Sequence, residues 1–168
     1  VENMERESMD YDVVIIGGGP SGLATAIKLA QTFKEKNLDK SICLLEKSAE
    51  IGGHILSGNV FETTALDELI PDWKEKGAPL DVKVKRDAIK FLINDKYSLP
   101  VPSFVMPTMQ NHGNYILSLG NLCRWLAEQA EALGVDIFPG FPAAEIIFKD
   151  GKVACLLYTS PSPRDWMV

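Results

Sequence analysis

Residues 12–22, DVVIIGGGPSG, constrain this chain more than any other stretch. Val13, Val14, Ile15 and Ile16 form an unbroken branched apolar run, which predicts a parallel strand covered on both faces. The strand runs into G-x-G-x-x-G. In such a turn Gly17 makes the tight reversal, Gly19 lets backbone approach a pyrophosphate, and Gly22 lets the following helix pack closely on the strand. Pro20, lacking an amide hydrogen, suits the first helical turn, and the other amides there, beginning with Ser21, point at whatever anion sits in front of them. Glycine-rich turns also occur where a chain merely bends, so the context decides. Apolar residues at helical spacing follow from Leu23 to Phe33, and a second apolar strand, residues 41–46, ends in Glu46. That acid lies about two dozen residues beyond Gly22, near the ~20-residue spacing of a ribose-binding carboxylate. It would accept hydrogen bonds from both ribose hydroxyls and repel a 2′-phosphate.

The length, 168 residues with 46% hydrophobic content, supports about one domain with a true core. A net charge of −6 without a basic stripe argues against nucleic acid as a partner. No apolar run approaches the ~18 residues needed to span a bilayer. The N-terminal stretch, an acidic polar tail over residues 1–10, reads as neither a secretory signal nor an Arg-rich transit peptide. Cys43, Cys123 and Cys155 are widely spaced with no C-x-x-C, so neither a disulfide framework nor a metal site is expected within the chain.

After Glu46, the stretch from Lys47 to Gly58 carries three glycines in a short loop. Because it leaves the same edge of the sheet as the first turn, Gly52 and Gly53 are expected to let backbone approach a cofactor, with Lys47, His54 and Ser57 as polar contacts. His54 could equally cap the loop. A short helix is predicted over 63–70, a further helical turn over 72–77, with Trp73 as a core or domain-edge anchor, and a strand over 82–85. Residues 88–93 and 97–99 flank Asn94-Asp95-Lys96 as a hairpin. Residues 99–109 are apolar yet hold three prolines, which excludes a central strand or a helix. Such a loop is either packed under protein or, with Phe91, Leu92 and Ile93, dips into a membrane interface. A turn-like 110–115 leads into a strong amphipathic helix over 119–133, stopped by Gly134. A strand over 135–138 and a hairpin around Asp150-Gly151 follow.

These motifs together resemble the electron-transfer flavoprotein:ubiquinone oxidoreductase family. The likeness rests on the first fingerprint, EIGGHILSG, LDELIPDWKEKGAPL, YSLPVPSF, NHGNYILSLGNLCRWLAEQAEALGV and FPGFPAAEIIF, and it covers about Asp10 to Val153. It implies an α/β fold: an incomplete Rossmann-like FAD-binding domain of glutathione-reductase type over residues 11–154, with an added β-hairpin and antiparallel β elements. It implies an enzyme, electron-transferring-flavoprotein dehydrogenase, with FAD and a 4Fe-4S cluster. Electrons from reduced electron-transfer flavoprotein would reach ubiquinone, which suits a flavin because it takes electrons singly or in pairs. Gly17, Gly19, Pro20, Ser21, Gly22 and Glu46 carry over as FAD contacts, and Lys47, Gly53, His54 and Ser57 as the loop near them. Phe91–Met109 becomes a peripheral membrane contact beside the quinone entry. The expected location is the cytoplasmic face of a bacterial inner membrane, the mitochondrial inner membrane being the alternative.

Two departures stand out. The family binds its cluster through four cysteines near the C-terminus, a region without counterpart here. Residues 155–168 leave the pattern, and YTSPSPRD reads as translated adapter or vector sequence. The chain is therefore expected to be part of a longer reading frame, binding FAD weakly or not at all by itself and reducing no quinone. FixC-like or other FAD-dependent oxidoreductases, an NAD-dependent enzyme, and a nucleotide-binding module without chemistry are the alternative readings.

Overall fold

The computed structural model describes residues 8–56, 58–106 and 109–158. Ser57, and residues 159–168 of the C-terminal stretch set apart above, lie outside it. The chain divides into two units, one built from residues up to Ile55 and from Cys123 onward, the other from Leu56 to Leu122.

In the first unit β1 (Val13–Ile16), α1 (Pro20–Glu35) and β2 (Ile42–Glu46) form a β-α-β crossover. The sheet order is β1-β2-β8, with β8 spanning Asp136–Pro139, and both pairings are parallel. Leu23, Ala26, Ile27 and Ala30 are the buried stripe of α1, set at helical spacing against the first two strands. β2 sits centrally and buries four consecutive residues, Ile42 to Leu45. β1 departs from the two-faced burial its sequence predicts. It is an edge strand, Val13 and Ile15 lie half-buried, and Val14 and Ile16 are 44% and 56% exposed. Alternation wins because α1 packs on the face of β1 that carries Val13 and Ile15, and the face that carries Val14 and Ile16 is left open.

Asp12 fastens the entry to the crossover. Its carboxylate accepts from the Ser41 amide at 2.9 Å and the Ser41 hydroxyl at 3.1 Å, and from Lys40 Nζ at 2.6 Å. All three donors belong to Lys40 and Ser41, the two residues that lead into β2. α3 (Leu119–Ala132), counted with this unit from Cys123, buries Cys123, Leu126, Ala127 and Ala130. It ends where Gly134 takes φ +91°, the Gly134 amide donating to the Glu131 carbonyl and the Val135 amide to that of Ala130. β9 (Ala143–Lys149) and β10 (Lys152–Tyr158) form an antiparallel ribbon about Asp150-Gly151, both at positive φ. The strand thus continues through Cys155 to Tyr158.

The second unit holds two small antiparallel sheets. One has the order β3-β7-β4, with β3 at Asn59–Phe61, β4 at Val82–Lys83 and β7 at Tyr115–Leu117. The other pairs β5 (Ile89–Leu92) with β6 (Ser98–Val101). Pro100 is tolerated in β6 because a two-stranded sheet has only edges. Around α2 (Thr64–Leu69), Trp73 is buried, donates its indole N–H to Asp67 Oδ1 at 2.7 Å, and meets Tyr115 edge-on. Asp67 Oδ2 accepts from the Thr63 hydroxyl at 2.9 Å. These two donors hold the Asp67 carboxyl below the usual carboxylate range, the indole first.

Candidate nucleotide site at the end of the first crossover

The carboxyl ends of β1 and β2 meet at the glycine turn. The Gly17 amide donates to the Leu45 carbonyl at 2.7 Å, and Gly17 takes φ +103°, a conformation that favours glycine. A Cβ at Gly22 would strike the Gly17 carbonyl, so the helix can lie against the strand only as glycine there. A Cβ at Gly19 would meet nothing within 4 Å. The space in front of Gly19 is open.

Gly19 is the N-cap of α1, Pro20 opens the helix, no side chain caps it, and its first turn holds no acid. The first intrahelical bond runs from the Leu23 amide to the Gly19 carbonyl. The amides of Ser21 and Gly22 precede that bond and add to the positive end of the helix dipole. Open space, an uncapped helix start and glycine at the approach fit a phosphate group.

Glu46, at the end of β2, is placed by both carboxylate oxygens. Oε2 accepts from the Gly18 amide at 2.7 Å and Oε1 from the Ser48 amide at 2.8 Å. The acid therefore reaches the glycine turn directly, and each oxygen keeps a lone pair for a further donor such as a hydroxyl. The Gly18 amide is spent on Glu46, which leaves the helix amides to face a ligand. The loop after β2 is fixed to β8: the Phe141 amide donates to the Glu46 carbonyl at 2.9 Å and the Gly140 amide to that of Ser48 at 2.7 Å. Within the loop a Cβ at Gly53 would come 2.5 Å from Ser48 Oγ. Lys47 and His54 are exposed, and Ser57 falls outside the described residues. Gly17, Gly19, Pro20, Ser21, Gly22 and Glu46 are thus brought together at the carboxyl ends of β1 and β2, with the Gly53 loop anchored beside Glu46.

Three residues carry more of this geometry than their sequence suggests. Gly18 occupies a variable position of the motif, yet it is buried, and a Cβ there would lie 2.5 Å from Ile51 Cδ1 and 3.2 Å from Glu46 Cβ. Ile51 closes over it and is itself buried. Arg124 Nη1, on α3, donates to the Ile51 carbonyl at 3.5 Å and lies 3.8 Å from Glu50 Oε1. The run of three glycines was the available signal for Gly18; Ile51 and Arg124 had none. A shallow hollow of about 330 Å3 along β8, lined by Val135, Asp136 and Phe138 among others, includes no residue of the glycine turn.

A parallel β-α-β unit with this turn and an acid at the end of its second strand defines a Rossmann-like dinucleotide-binding domain, and residues 15–72 match the NAD(P)-binding Rossmann-like domain family. The chain's curated relatives include electron transfer flavoprotein-ubiquinone oxidoreductases. The chain is 55% identical over 151 residues to that of Pseudomonas aeruginosa, covering 89% of this chain and 27% of the relative. To the mitochondrial protein of Bos taurus it is 51% identical over 152 residues, covering 90% and 24%. The chain spans about a quarter of the length of these relatives. Among solved structures, a geranylgeranyl bacteriochlorophyll reductase-like protein from Thermoplasma acidophilum superposes with TM-score 0.62 at 24% identity, covering 88% of this chain and 34% of that one. The myxobacterial chondrochloren halogenase, described as an FAD-dependent halogenase variant, gives 0.59 at 18%, covering 89% and 33%. At these identities the superpositions speak for the fold.

Proposed function

We propose that this chain is the FAD-binding part of an electron transfer flavoprotein-ubiquinone oxidoreductase. The observation that carries the reading is Glu46, gripping the Gly18 amide beside an uncapped helix start with open space at Gly19. The Ser21 and Gly22 amides hold the pyrophosphate, with Gly17, Gly19 and Pro20 shaping the turn. Glu46 takes the adenosine ribose, and Lys47, Gly53 and His54 of the loop after β2 would make further contacts to the cofactor. FAD bound there would supply the electron-carrying chemistry; these residues would hold its diphosphate and ribose within the longer protein.

The relatives' names support electron-transfer flavoprotein as donor and ubiquinone as acceptor for a protein of their length. The 4Fe-4S cluster of that route does not fit the residues here. Cys43 and Cys123 are buried, with burial pushing both thiols up, Cys123 to about 11, and Cys155 is exposed. Among the described residues no group of three or more His, Cys, Asp or Glu could hold a metal. No helix of the described residues is long and apolar enough to cross a membrane. The proposed attachment is peripheral, through Phe91–Met109, at the cytoplasmic face of a bacterial inner membrane, or in mitochondria the inner membrane.

The test is expression of the longer reading frame containing this sequence. It should purify with stoichiometric FAD and pass electrons from reduced electron-transfer flavoprotein to a soluble ubiquinone analogue; a flavin-free, inactive product would overturn the reading. The 168-residue chain alone should retain little flavin and reduce no quinone, and tight stoichiometric FAD would contradict that part.

A further inference from the structure

The hydrogen bond from the Gly18 amide to Glu46 Oε2 lies under an apolar cover. Ile51 is buried, and a Cβ built on Gly18 would fall 2.5 Å from its Cδ1, so the end of the isoleucine stands where a side chain on Gly18 would go. Glu46 Cβ and Oε2 lie 3.2 and 3.3 Å from the same point. Ile51 therefore shields the 2.7 Å bond between the glycine turn and the acid. Keeping water from that bond strengthens it and holds the carboxylate in one orientation.

The loop that carries Ile51 is closed on itself by the Gly53 amide donating to the Glu50 carbonyl at 3.2 Å and the Ile55 amide to that of Gly52 at 3.1 Å. A tie from outside the loop comes from α3. There Arg124 Nη1 donates to the Ile51 carbonyl at 3.5 Å. The helix is a firm base for this reach, since Cys123, next to Arg124, and Leu126 and Ala127 beyond it are buried. Burial pushes the Cys123 thiol up to about 11, with smaller opposed effects from Arg124 and Glu46, so this part of α3 lies near the acid as well as near the loop. Arg124 Nη1 also stands 3.8 Å from Glu50 Oε1, but the two side chains are 45% and 68% exposed, and water screens such a pair. The contact to the Ile51 carbonyl is the one that bears on the site.

Resting on the nucleotide reading above, we propose that Arg124 is a positioning residue for that site. By holding the Ile51 carbonyl it keeps the Ile51 side chain closed over Gly18 and Glu46, and so fixes the carboxylate that receives the ribose. Its effect on a ligand runs through Ile51. Arginine suits the task because its planar fork carries five N–H donors, enough to serve the carbonyl while facing Glu50.

Amide NMR of the 15N-labelled 168-residue chain, free and titrated with ADP, tests this. Arg124→Gln should weaken ADP about 3- to 10-fold, the worth of one hydrogen bond. In the free chain it should move the Gly18 amide proton upfield as the bond to Glu46 loosens, leaving the amides of Ala26 and Ile27 in α1 in place. Arg124→Lys, which keeps a donor, should recover part of the affinity, and Glu50→Gln should change it less than about twofold. Ile51→Val removes the Cδ1 over Gly18 at little cost in packing. On that background Arg124→Gln should cost clearly less affinity than it does in the parent, because the arginine then has no cover to hold in place. Fully additive losses, or weaker ADP binding with the Gly18 resonance unmoved, would mean that Arg124 acts on the ligand directly and would overturn the proposal. Unchanged affinity in Arg124→Gln would overturn it too. If the parent shows no ADP shifts, the nucleotide reading fails by itself, and the Gly18 resonance of the free Arg124→Gln chain still decides whether the arginine holds the cover: unmoved, it overturns that as well. Circular dichroism checks that each variant is folded.

Discussion

Glu46 reaches from the end of β2 to the Gly18 amide, 2.7 Å from its Oε2, so the acid of the second strand holds the turn that follows the first. Its other oxygen holds the Ser48 amide. One side chain therefore ties together the glycine turn and the loop after β2. Replacing Glu46 with Gln leaves a single acceptor oxygen and turns an NH2 group toward one of the two amides. The expected loss is roughly 1–2 kcal/mol, the cost of an unsatisfied part-buried donor, read by urea denaturation. A variant as stable as the parent would show that the two bonds are not jointly made.

Gly18 and Gly19 should behave oppositely. Gly18→Ala forces a Cβ against Ile51 and Glu46, with an expected cost of about 1–3 kcal/mol for overpacking, moderated because the Ile51 contact is a side-chain end. Gly19→Ala meets nothing, so stability should stay within about 0.5 kcal/mol while nucleotide affinity falls. Thermal melts and a ligand titration on the two variants separate fold from site.

The Asp12 carboxyl is drawn down to about 2, first by the hydrogen bond from Lys40 and then by that from the Ser41 backbone. A depressed carboxyl pKa stabilises the folded state above the unfolded value, and that contribution is lost as pH falls through the folded value. Melting temperature should therefore drop between about pH 4 and pH 2 with a component that Asp12→Asn removes. An identical acid limb in the variant would rule out this contribution.

Asp67→Ala would leave the indole N–H of buried Trp73 without its 2.7 Å acceptor. A cost of roughly 1–3 kcal/mol is expected, measured by urea denaturation followed through tryptophan fluorescence.

The crossover was legible because its signals are local: an apolar run, glycines at fixed offsets, and an acid ending the next run. The long amphipathic helix and the Asp150-Gly151 ribbon were legible for the same reason. What the sequence misled on was set by neighbours. Val14 and Ile16 read as core but lie on an edge strand, since strand order is not written in the strand itself. β3 and β7 were missed because three-residue strands carry almost no periodicity, and their pairing joins segments some fifty residues apart. Residues 72–77, by contrast, make the single helical turn expected, the Lys76 amide donating to the Asp72 carbonyl at 3.1 Å and the Ala78 amide to that of Trp73 at 3.0 Å past Gly77 at φ +71°. At the site, the acid and the glycines were readable, whereas the closure of Ile51 over Gly18 and the reach of Arg124 to Ile51 depend on long-range packing.

In the function proposed for this chain, the Gly17–Gly22 turn and Glu46 form one site for the diphosphate and ribose of a dinucleotide. Amide NMR of the 15N-labelled chain titrated with ADP tests it most directly. Weak, saturable shifts centred on Gly19, Ser21, Gly22 and Glu46 are expected, abolished in Glu46→Ala. Shifts centred elsewhere, or none at millimolar ADP, would contradict it.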